Sequence, residues 1–261
     1  IYLEDGQRVR ADVDGYTILN TDREPVEVDI ETVSYTAEET GKSGYDHYML
    51  KEIHEQPTAL RQCFSGRADA LDGTITLEEV DEIPQPDAVQ FVACGTSYHA
   101  ALYGASILRE MGIPAEAYLA SEYALSPPPL SLGTLVVGIT QSGETADTLA
   151  ALRDAQSRGV TTLALTNTVN STAARECDHA VYIRAGPEIG VAATKTFSLQ
   201  LVGCYLLSKE LVLVQRHLPP LIELLPRFQD AVRLSLDSSA SETLFAHFAA
   251  SDASFLMGRG T

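Results

Sequence analysis

Residues 134–145 read Thr-Leu-Val-Val-Gly-Ile-Thr-Gln-Ser-Gly-Glu-Thr, an apolar run that passes directly into small polar residues around a glycine. The run at 134–139 predicts a buried strand, because strands of a parallel sheet that is covered on both faces are almost continuously apolar. Residues 146–157 then predict a helix, which ends at Gly159. A strand, a polar loop and a helix in this order indicate one unit of an α/β domain.

The same alternation continues on both sides of this unit. Further strands are predicted at residues 89–93, 115–119, 161–165 and 180–183. Helices are predicted at residues 48–61, where Pro57 could introduce a kink, at 98–111 and at 193–214. The sequence therefore predicts an α/β fold, a doubly wound parallel sheet flanked by helices. Ligands of such sheets bind at the carboxyl ends of the strands, where the strand order reverses.

The first part of the chain has a different pattern. Residues 1–35 form short alternating runs broken by turns such as Glu4-Asp5-Gly6, which predicts a meander of short strands. Residues 36–46 are polar and contain two glycines, so they predict a linker. The chain begins with Ile1 and stops abruptly at Thr261, and both ends are expected to continue into a longer protein.

The charge balance is strongly acidic, with 36 Asp and Glu against 18 Lys and Arg and a net charge of −18. Nucleic acid is a poor partner for such a surface, because binding a duplex usually needs a basic face. The lysines are Lys42, Lys51, Lys195 and Lys209. An acid-rich, lysine-poor surface is typical of a cytoplasm with very high salt, where the self-repulsion is screened. The alternative is an ordinary acidic protein.

The sequence supports neither a membrane protein nor a metal-binding protein. No stretch reaches the roughly 20 continuous apolar residues needed to span a bilayer, and the first residues lack the pattern of a signal peptide. The cysteines fit neither a zinc pattern nor a CxxC redox pair: they are Cys63, Cys94, Cys177 and Cys204. A reduced cytoplasmic protein without a metal is therefore expected.

Two strand-to-helix junctions carry the polar residues that could bind a ligand. They are residues 93–98 (Ala-Cys-Gly-Thr-Ser-Tyr) and 140–145 (Thr-Gln-Ser-Gly-Glu-Thr). Backbone N–H groups at a helix start and nearby hydroxyls can hold a phosphate without lysine or arginine. The alternative is that these residues are ordinary helix N-caps. Neither junction matches a P-loop or a dinucleotide fingerprint.

A third segment, residues 187–197, places Gly190 in a loop before the last long helix. Thr194 and Lys195 lie in the first turn of that helix. Lys195 could pair with Glu188 or Glu144, or could reach the ligand. The alternative is a solvated lysine near a helix start.

These motifs resemble, in order and spacing, the first sugar-isomerase subdomain of the glutamine–fructose-6-phosphate aminotransferase (isomerizing) family. The resemblance rests on residues 94–98, on Ser142-Gly143-Glu144-Thr145-Ala146-Asp147-Thr148 and on Glu188-Ile189-Gly190-Val191-Ala192. Residues 47–57 look like the helix that opens that subdomain. The resemblance covers almost the whole chain.

The resemblance implies a substrate site for fructose 6-phosphate or glucosamine 6-phosphate. The implied residues are Thr140, Gln141, Ser142, Thr145 and Ser97 around the phosphate, Cys94, Gly95 and Thr96 shaping the pocket, and Val191 and Ala193 on the sugar side. Thr140 stands where serine is common and keeps the hydroxyl, whereas Ala193 stands where serine is frequent and loses one hydrogen bond. No catalytic residue, metal or nucleotide cofactor is implied within the chain.

The resemblance also implies a domain order. Residues 1–35 would be the last strands of a glutaminase domain, 36–46 a linker, 47–240 the first sugar-isomerase domain, and 241–261 the start of a second one. Ammonia from glutamine would come from the glutaminase domain, and helices at 193–214 and 220–236 would pack in a homodimer. The alternatives are a sugar-phosphate deaminase or deglycase of the same fold, and a non-catalytic sugar-phosphate sensor.

Overall fold

Five parallel strands form the central sheet in a computed structural model that describes residues 6–27, 40–67, 75–80 and 83–211, with the single positions 3 and 230. The strands are β4 (Ala88–Ala93), β5 (Ala115–Leu119), β6 (Thr134–Thr140), β7 (Thr161–Thr166) and β8 (His179–Tyr182). The helices are α1 (Tyr48–Phe64), α2 (Thr96–Glu110), α3 (Ala120–Tyr123), α4 (Ala146–Ser157), α5 (Thr172–Glu176) and α6 (Lys195–Glu210). The predicted α/β fold and each predicted strand of the sheet are confirmed.

The strand order is β5-β4-β6-β7-β8, and every neighbouring pair is parallel. The chain passes from β4 outward to β5 and then returns across β4 to β6, so the order reverses between β4 and β6. Ala93 lies beside Ile139 in the register of these two strands. The loops that follow β4 and β6 therefore leave the sheet side by side at its switch point, where ligands of such sheets bind.

Both faces of the sheet are covered, and alternate residues of β4 show how. Phe91 points into a cluster with Leu60 of α1, Leu108 of α2 and Leu206 of α6. The next residue, Val92, belongs to the opposite cluster, together with Tyr123 of α3, Val136 of β6 and Leu152 of α4. Successive side chains of a strand point to opposite faces, so one buried strand supplies both cores.

The chain divides into two compact units, Ile1–Thr40 and Gly41–Thr261. In the first unit β1 (Arg8–Asp12), β2 (Gly15–Leu19) and β3 (Pro25–Val26) form an antiparallel meander, with Ile18 buried. The meander predicted there is confirmed over these residues. Of the meander predicted over residues 1–35, residues 1, 2, 4, 5 and 28–35 lie outside the described residues.

The short helices α3 and α5, and the 3-10 turn Glu78–Val80, were not predicted. Each is shorter than the two helical turns that make a periodic pattern recognisable. The helix predicted at 193–214 begins at Lys195, and α1 continues through Pro57 to Phe64. Within the described part of the chain, no helix is both long and apolar enough to cross a membrane.

Candidate functional site

Hydroxyl groups line the loop at residues 141–145, between β6 and α4. The Oγ1 atoms of Thr140 and Thr145 lie 2.9 Å apart, and Thr140 Oγ1 also accepts the N–H of Gly143 at 3.2 Å. Ser142 is exposed, and its Oγ accepts the N–H of Glu144 at 3.1 Å. Thr145 precedes α4 but its side chain makes no cap hydrogen bond to the helix. The start of α4 thus keeps N–H donors that no side chain caps.

The 141–145 loop is hydrogen-bonded to the start of α5. The N–H of Ala173 donates to the carbonyl oxygen of Gly143 at 3.0 Å, and the N–H of Thr172 donates to the Glu144 carboxylate at 2.8 Å. Gly143 has φ of +72°, and a Cβ there would overlap the buried Ser171 side chain. Only glycine combines this backbone conformation with such close contact. The Glu144 carboxylate is therefore held at the α5 side of the loop.

The carbonyl oxygen of Gln141 is held from the end of β7. It accepts the N–H of Asn167 at 3.1 Å and the hydroxyl of Thr168 at 3.4 Å. The side chain of Asn167 in turn accepts the N–H of Ala185 and donates to the carbonyl oxygen of Gly186, both at 2.8 Å. Asn167 is buried, and it joins two loops: its backbone N–H binds the loop after β6, and its side-chain amide binds the loop after β8.

The loop after β4 lies next to the 141–145 loop. Gly95 is the N-cap of α2 with φ of +58°, so α2 begins without a capping side chain. Cys94 Sγ lies 4.0 Å from the Asp147 carboxylate on α4. Thr96 is exposed, and Cys94 and Ser97 are half-buried. The structure thus brings the two predicted polar junctions together, and at neither of them does a side chain cap the following helix.

In the third segment, residues 187–197, Lys195 has a different partner from those predicted. Its ammonium contacts neither Glu188 nor Glu144; it binds the Glu55 carboxylate of α1 at 2.6 Å and is only 4% exposed. Glu188 accepts the N–H and the hydroxyl of Thr194, both at 3.0 Å, and so caps α6. The local sequence pattern could not predict the pairing of Lys195 with Glu55, because the two residues are 140 positions apart in the chain.

Val191 and Ala193, predicted on the sugar side, lie in the connection between Gly190 and α6. Val191 is fully exposed and Ala193 is half-buried. Among the described residues, the hydrogen bonds of this connection run to α1 and within its own turn, not to the 141–145 loop. Contacts with α1 therefore position the connection between Gly190 and α6.

Three of the four thiols are unsuited to nucleophilic chemistry. Burial raises the pKa of Cys63 to about 11 and the pKa values of Cys177 and Cys204 to about 12. The thiolate is the reactive form, so these side chains stay protonated and inert near neutral pH. Among the described residues, no three His, Cys, Asp or Glu side chains are grouped as metal ligands.

No role in the site was predicted from the sequence for Glu52, Glu55, Asn167 or Ser171. Glu52 and Glu55 are three residues apart and therefore share a face of α1. That spacing could have drawn attention to them, but acidic pairs at this spacing are common on solvated helices. Asn167 and Ser171 follow β7 at the same edge of the sheet as the predicted loops, which is the signal that could have identified them.

Comparison with known proteins places this chain in a family. The family model described as "SIS domain" matches residues 82–209. The chain is 45% identical over 268 residues to the glutamine–fructose-6-phosphate aminotransferase (isomerizing) of Halobacterium salinarum, covering 99% of this chain and 44% of that protein. It is 41% identical to the enzyme of that name from Methanothermobacter thermautotrophicus, covering 100% of this chain and 42% of the relative. The chain spans less than half the length of these relatives.

Solved structures agree with the sequence relatives. The C-terminal domain of glucosamine-fructose-6-phosphate aminotransferase from Francisella tularensis is 32% identical with a TM-score of 0.68, covering 80% of this chain and 60% of that one. Glucosamine-6-phosphate deaminase from Thermotoga maritima is 25% identical with a TM-score of 0.56, covering 72% and 53%. Residues 82–209 thus form a SIS domain, and the chain belongs to the family of the glutamine–fructose-6-phosphate aminotransferases.

Proposed function

We propose that this chain is the sugar-phosphate-binding part of an enzyme that converts fructose 6-phosphate and glutamine into glucosamine 6-phosphate and glutamate. One observation carries the proposal. The hydroxyl-lined 141–145 loop lies at the switch point of the sheet, before a helix whose start has no side-chain cap. Helix-start N–H groups and hydroxyls together suit a phosphate monoester.

The proposed site has a phosphate end and a sugar end. Thr140, Gln141, Ser142 and Thr145 surround the phosphate, with Ser97 nearby. Thr140 is buried, so it supports the loop from below while the exposed Ser142 faces the ligand. Cys94, Gly95 and Thr96 shape the pocket wall, and Val191 and Ala193 lie along the sugar. This part of the enzyme supplies binding, and we assign it no catalytic residue and no cofactor.

The proposed domain order follows the family. Residues 1–35 would be the last strands of a glutaminase domain, 36–46 the linker, 47–240 the first SIS domain and 241–261 the start of the second. Ammonia released from glutamine would reach the sugar bound here. The relatives named as aminotransferases are 45% and 41% identical to this chain, whereas the deaminase structure is 25% identical. That difference favours the aminotransferase over a deaminase or a sensor.

The substitution Ser142→Ala tests the phosphate end. We expect fructose 6-phosphate to bind the variant about tenfold or more weakly, because a hydrogen bond to a charged group contributes roughly 1.5–3 kcal/mol. Calorimetric titration of the chain in potassium chloride buffer measures this change. Ser157→Ala is the matched control, an exposed serine at the far end of the same helix. Equal affinity of Ser142→Ala and the unchanged chain would place the phosphate elsewhere and refute the proposed site.

We also propose a cytoplasmic homodimer adapted to high salt. The support is the net charge of −18 and the similarity to a protein of Halobacterium salinarum. Screening of like charges strengthens as the Debye length falls from about 10 Å at 0.1 M salt to about 3 Å at 1 M. We therefore expect the thermal unfolding midpoint to rise by roughly 10 °C between these concentrations of KCl. A midpoint that does not change with KCl would contradict the adaptation, and a monomer in sedimentation equilibrium would contradict the dimer.

A further inference from the structure

The segment from Arg184 to Lys195, which follows β8, is fixed along one helix, α1. Arg184 donates to the carbonyl oxygen of Ser65, just after the end of α1, at 3.0 Å. Lys195 binds Glu55 in the middle of the same helix. Between these two contacts lie Ile189 and Gly190, and both are bound by a third α1 residue, Glu52.

The Glu52 carboxylate accepts the N–H of Ile189 at 2.5 Å and the N–H of Gly190 at 3.0 Å. Glu52 is only 2% exposed. A buried carboxylate is costly unless hydrogen bonds compensate its charge, and charge-assisted bonds from backbone N–H groups are among the strong ones. We call this contact of Glu52 with the N–H groups of Ile189 and Gly190 the Glu52 clamp.

Gly190 shows independently that the loop is shaped around this carboxylate. A Cβ at position 190 would lie 2.5 Å from Glu52 Oε2, closer than side-chain carbons approach oxygen in real structures. The absence of a side chain at Gly190 is therefore what lets the carboxylate reach both N–H groups. Two residues 138 positions apart in the chain are matched to each other at this point.

We propose that Glu52 is a positioning residue for sugar recognition: through the Glu52 clamp it holds the loop that presents Val191 and Ala193 to the sugar. This inference rests on the proposed function, which assigns those two residues to the sugar side. Glu52 itself does not contact the ligand in this proposal. The 141–145 loop is held by the backbone N–H groups of Thr172 and Ala173 at the start of α5, which do not contact Glu52, so loss of the clamp leaves the phosphate end in place.

The test compares two probes on the same chain, fructose 6-phosphate and inorganic phosphate. In Glu52→Gln an amide N–H₂ replaces one acceptor oxygen with almost no change in volume. We expect the Kd of fructose 6-phosphate to rise about tenfold, with less than a twofold change for inorganic phosphate. Gly190→Ala is expected to do the same, and the double variant should be no worse than either single one because both remove one contact. Glu122→Gln, an exposed glutamate on α3, is the control.

Thermal unfolding of every variant separates positioning from general loss of structure. Equal weakening of both probes, or no weakening of fructose 6-phosphate in folded Glu52→Gln, would overturn the positioning role and leave the proposed function standing. Failure of the unchanged chain to bind fructose 6-phosphate more tightly than inorganic phosphate would mean that the sugar side is not formed in this chain. That result would refute the proposed sugar contacts and this inference together.

Discussion

Gly143→Ala is expected to abolish detectable binding of fructose 6-phosphate and to destabilise the chain. Two effects lower the free energy of unfolding at this position. An alanine at φ of +72° adopts a left-handed conformation that costs roughly 1–2 kcal/mol. Its Cβ would also overlap Ser171, which is buried and cannot move into solvent. We expect the free energy of unfolding to fall by about 2–4 kcal/mol in total.

Binding suffers more than stability because the loop must move to relieve the overlap. Movement of Gly143 breaks its bond with the N–H of Ala173 and its bond with the Thr140 hydroxyl. Both bonds set the shape of the 141–145 loop around the ligand. We expect affinity for fructose 6-phosphate to fall by about 100-fold or more, since misplacement by about 1 Å has effects of this size in preorganised sites. Calorimetric titration and urea unfolding measure the two effects.

A matched control separates the two costs. Gly159 has φ of +73°, but the nearest atom to a Cβ there is a Leu132 methyl group at 3.7 Å. Gly159→Ala should therefore show the conformational cost alone, about 1–2 kcal/mol, with unchanged binding. Adding Ser171→Gly to Gly143→Ala removes the overlap and should restore part of the affinity. Normal binding by Gly143→Ala would show that the 141–145 loop is not the ligand site.

Glu55→Ala is expected to lower the free energy of unfolding by about 3 kcal/mol, since removal of one partner from a buried ion pair costs roughly 3–5 kcal/mol. Glu55 contacts the ammonium groups of Lys195 at 2.6 Å and Lys51 at 3.3 Å. The two lysine side chains are 4% and 7% exposed, whereas Glu55 is one-third exposed, which places the effect at the low end of that range. Urea unfolding with an unchanged m-value would show a loss of stability without a change in the unfolded chain.

An exposed ion pair provides the comparison. Glu176 makes two hydrogen bonds of 2.7 Å to Arg153, but the two side chains are 39% and 56% exposed. Glu176→Ala should cost no more than about 1 kcal/mol, because solvent screens such pairs and the remaining Arg153 charge stays hydrated after the change. Similar losses for Glu55→Ala and Glu176→Ala would show that burial of the two lysines adds nothing to the strength of their pairing with Glu55.

The order of strands and helices followed from the sequence because the pattern that encodes it is local. The runs at β4, β6 and β7 are mostly apolar, and β4 and β6 are each followed by a polar loop and a helix of three turns or more. The polar junctions at residues 93–98 and 140–145 could be placed on one edge, since all strands of a parallel sheet end on the same side. The short helices α3 and α5 escaped prediction because they span four and five residues.

Side-chain partners could not be predicted in the same way. Thr145 has the sequence signature of an N-cap, yet its hydroxyl binds Thr140. Lys195 has Glu188 seven residues before it, yet it binds Glu55. In each case several partners are compatible with the local sequence. The choice among them depends on distances that are set only when the sheet and helices have packed.

The sequence by itself determined the fold class, the two polar junctions and the acidic, lysine-poor surface, because periodicity, turn residues and charge are properties of neighbouring positions. The tertiary structure alone decided that the order reverses between β4 and β6, that α5 supports the 141–145 loop, and that Glu52 and Glu55 on α1 hold the segment before α6. These contacts join residues 30 to 140 positions apart. A carboxylate on a helix face looks the same in sequence whether it meets water or a buried backbone N–H, and only packing removes the water.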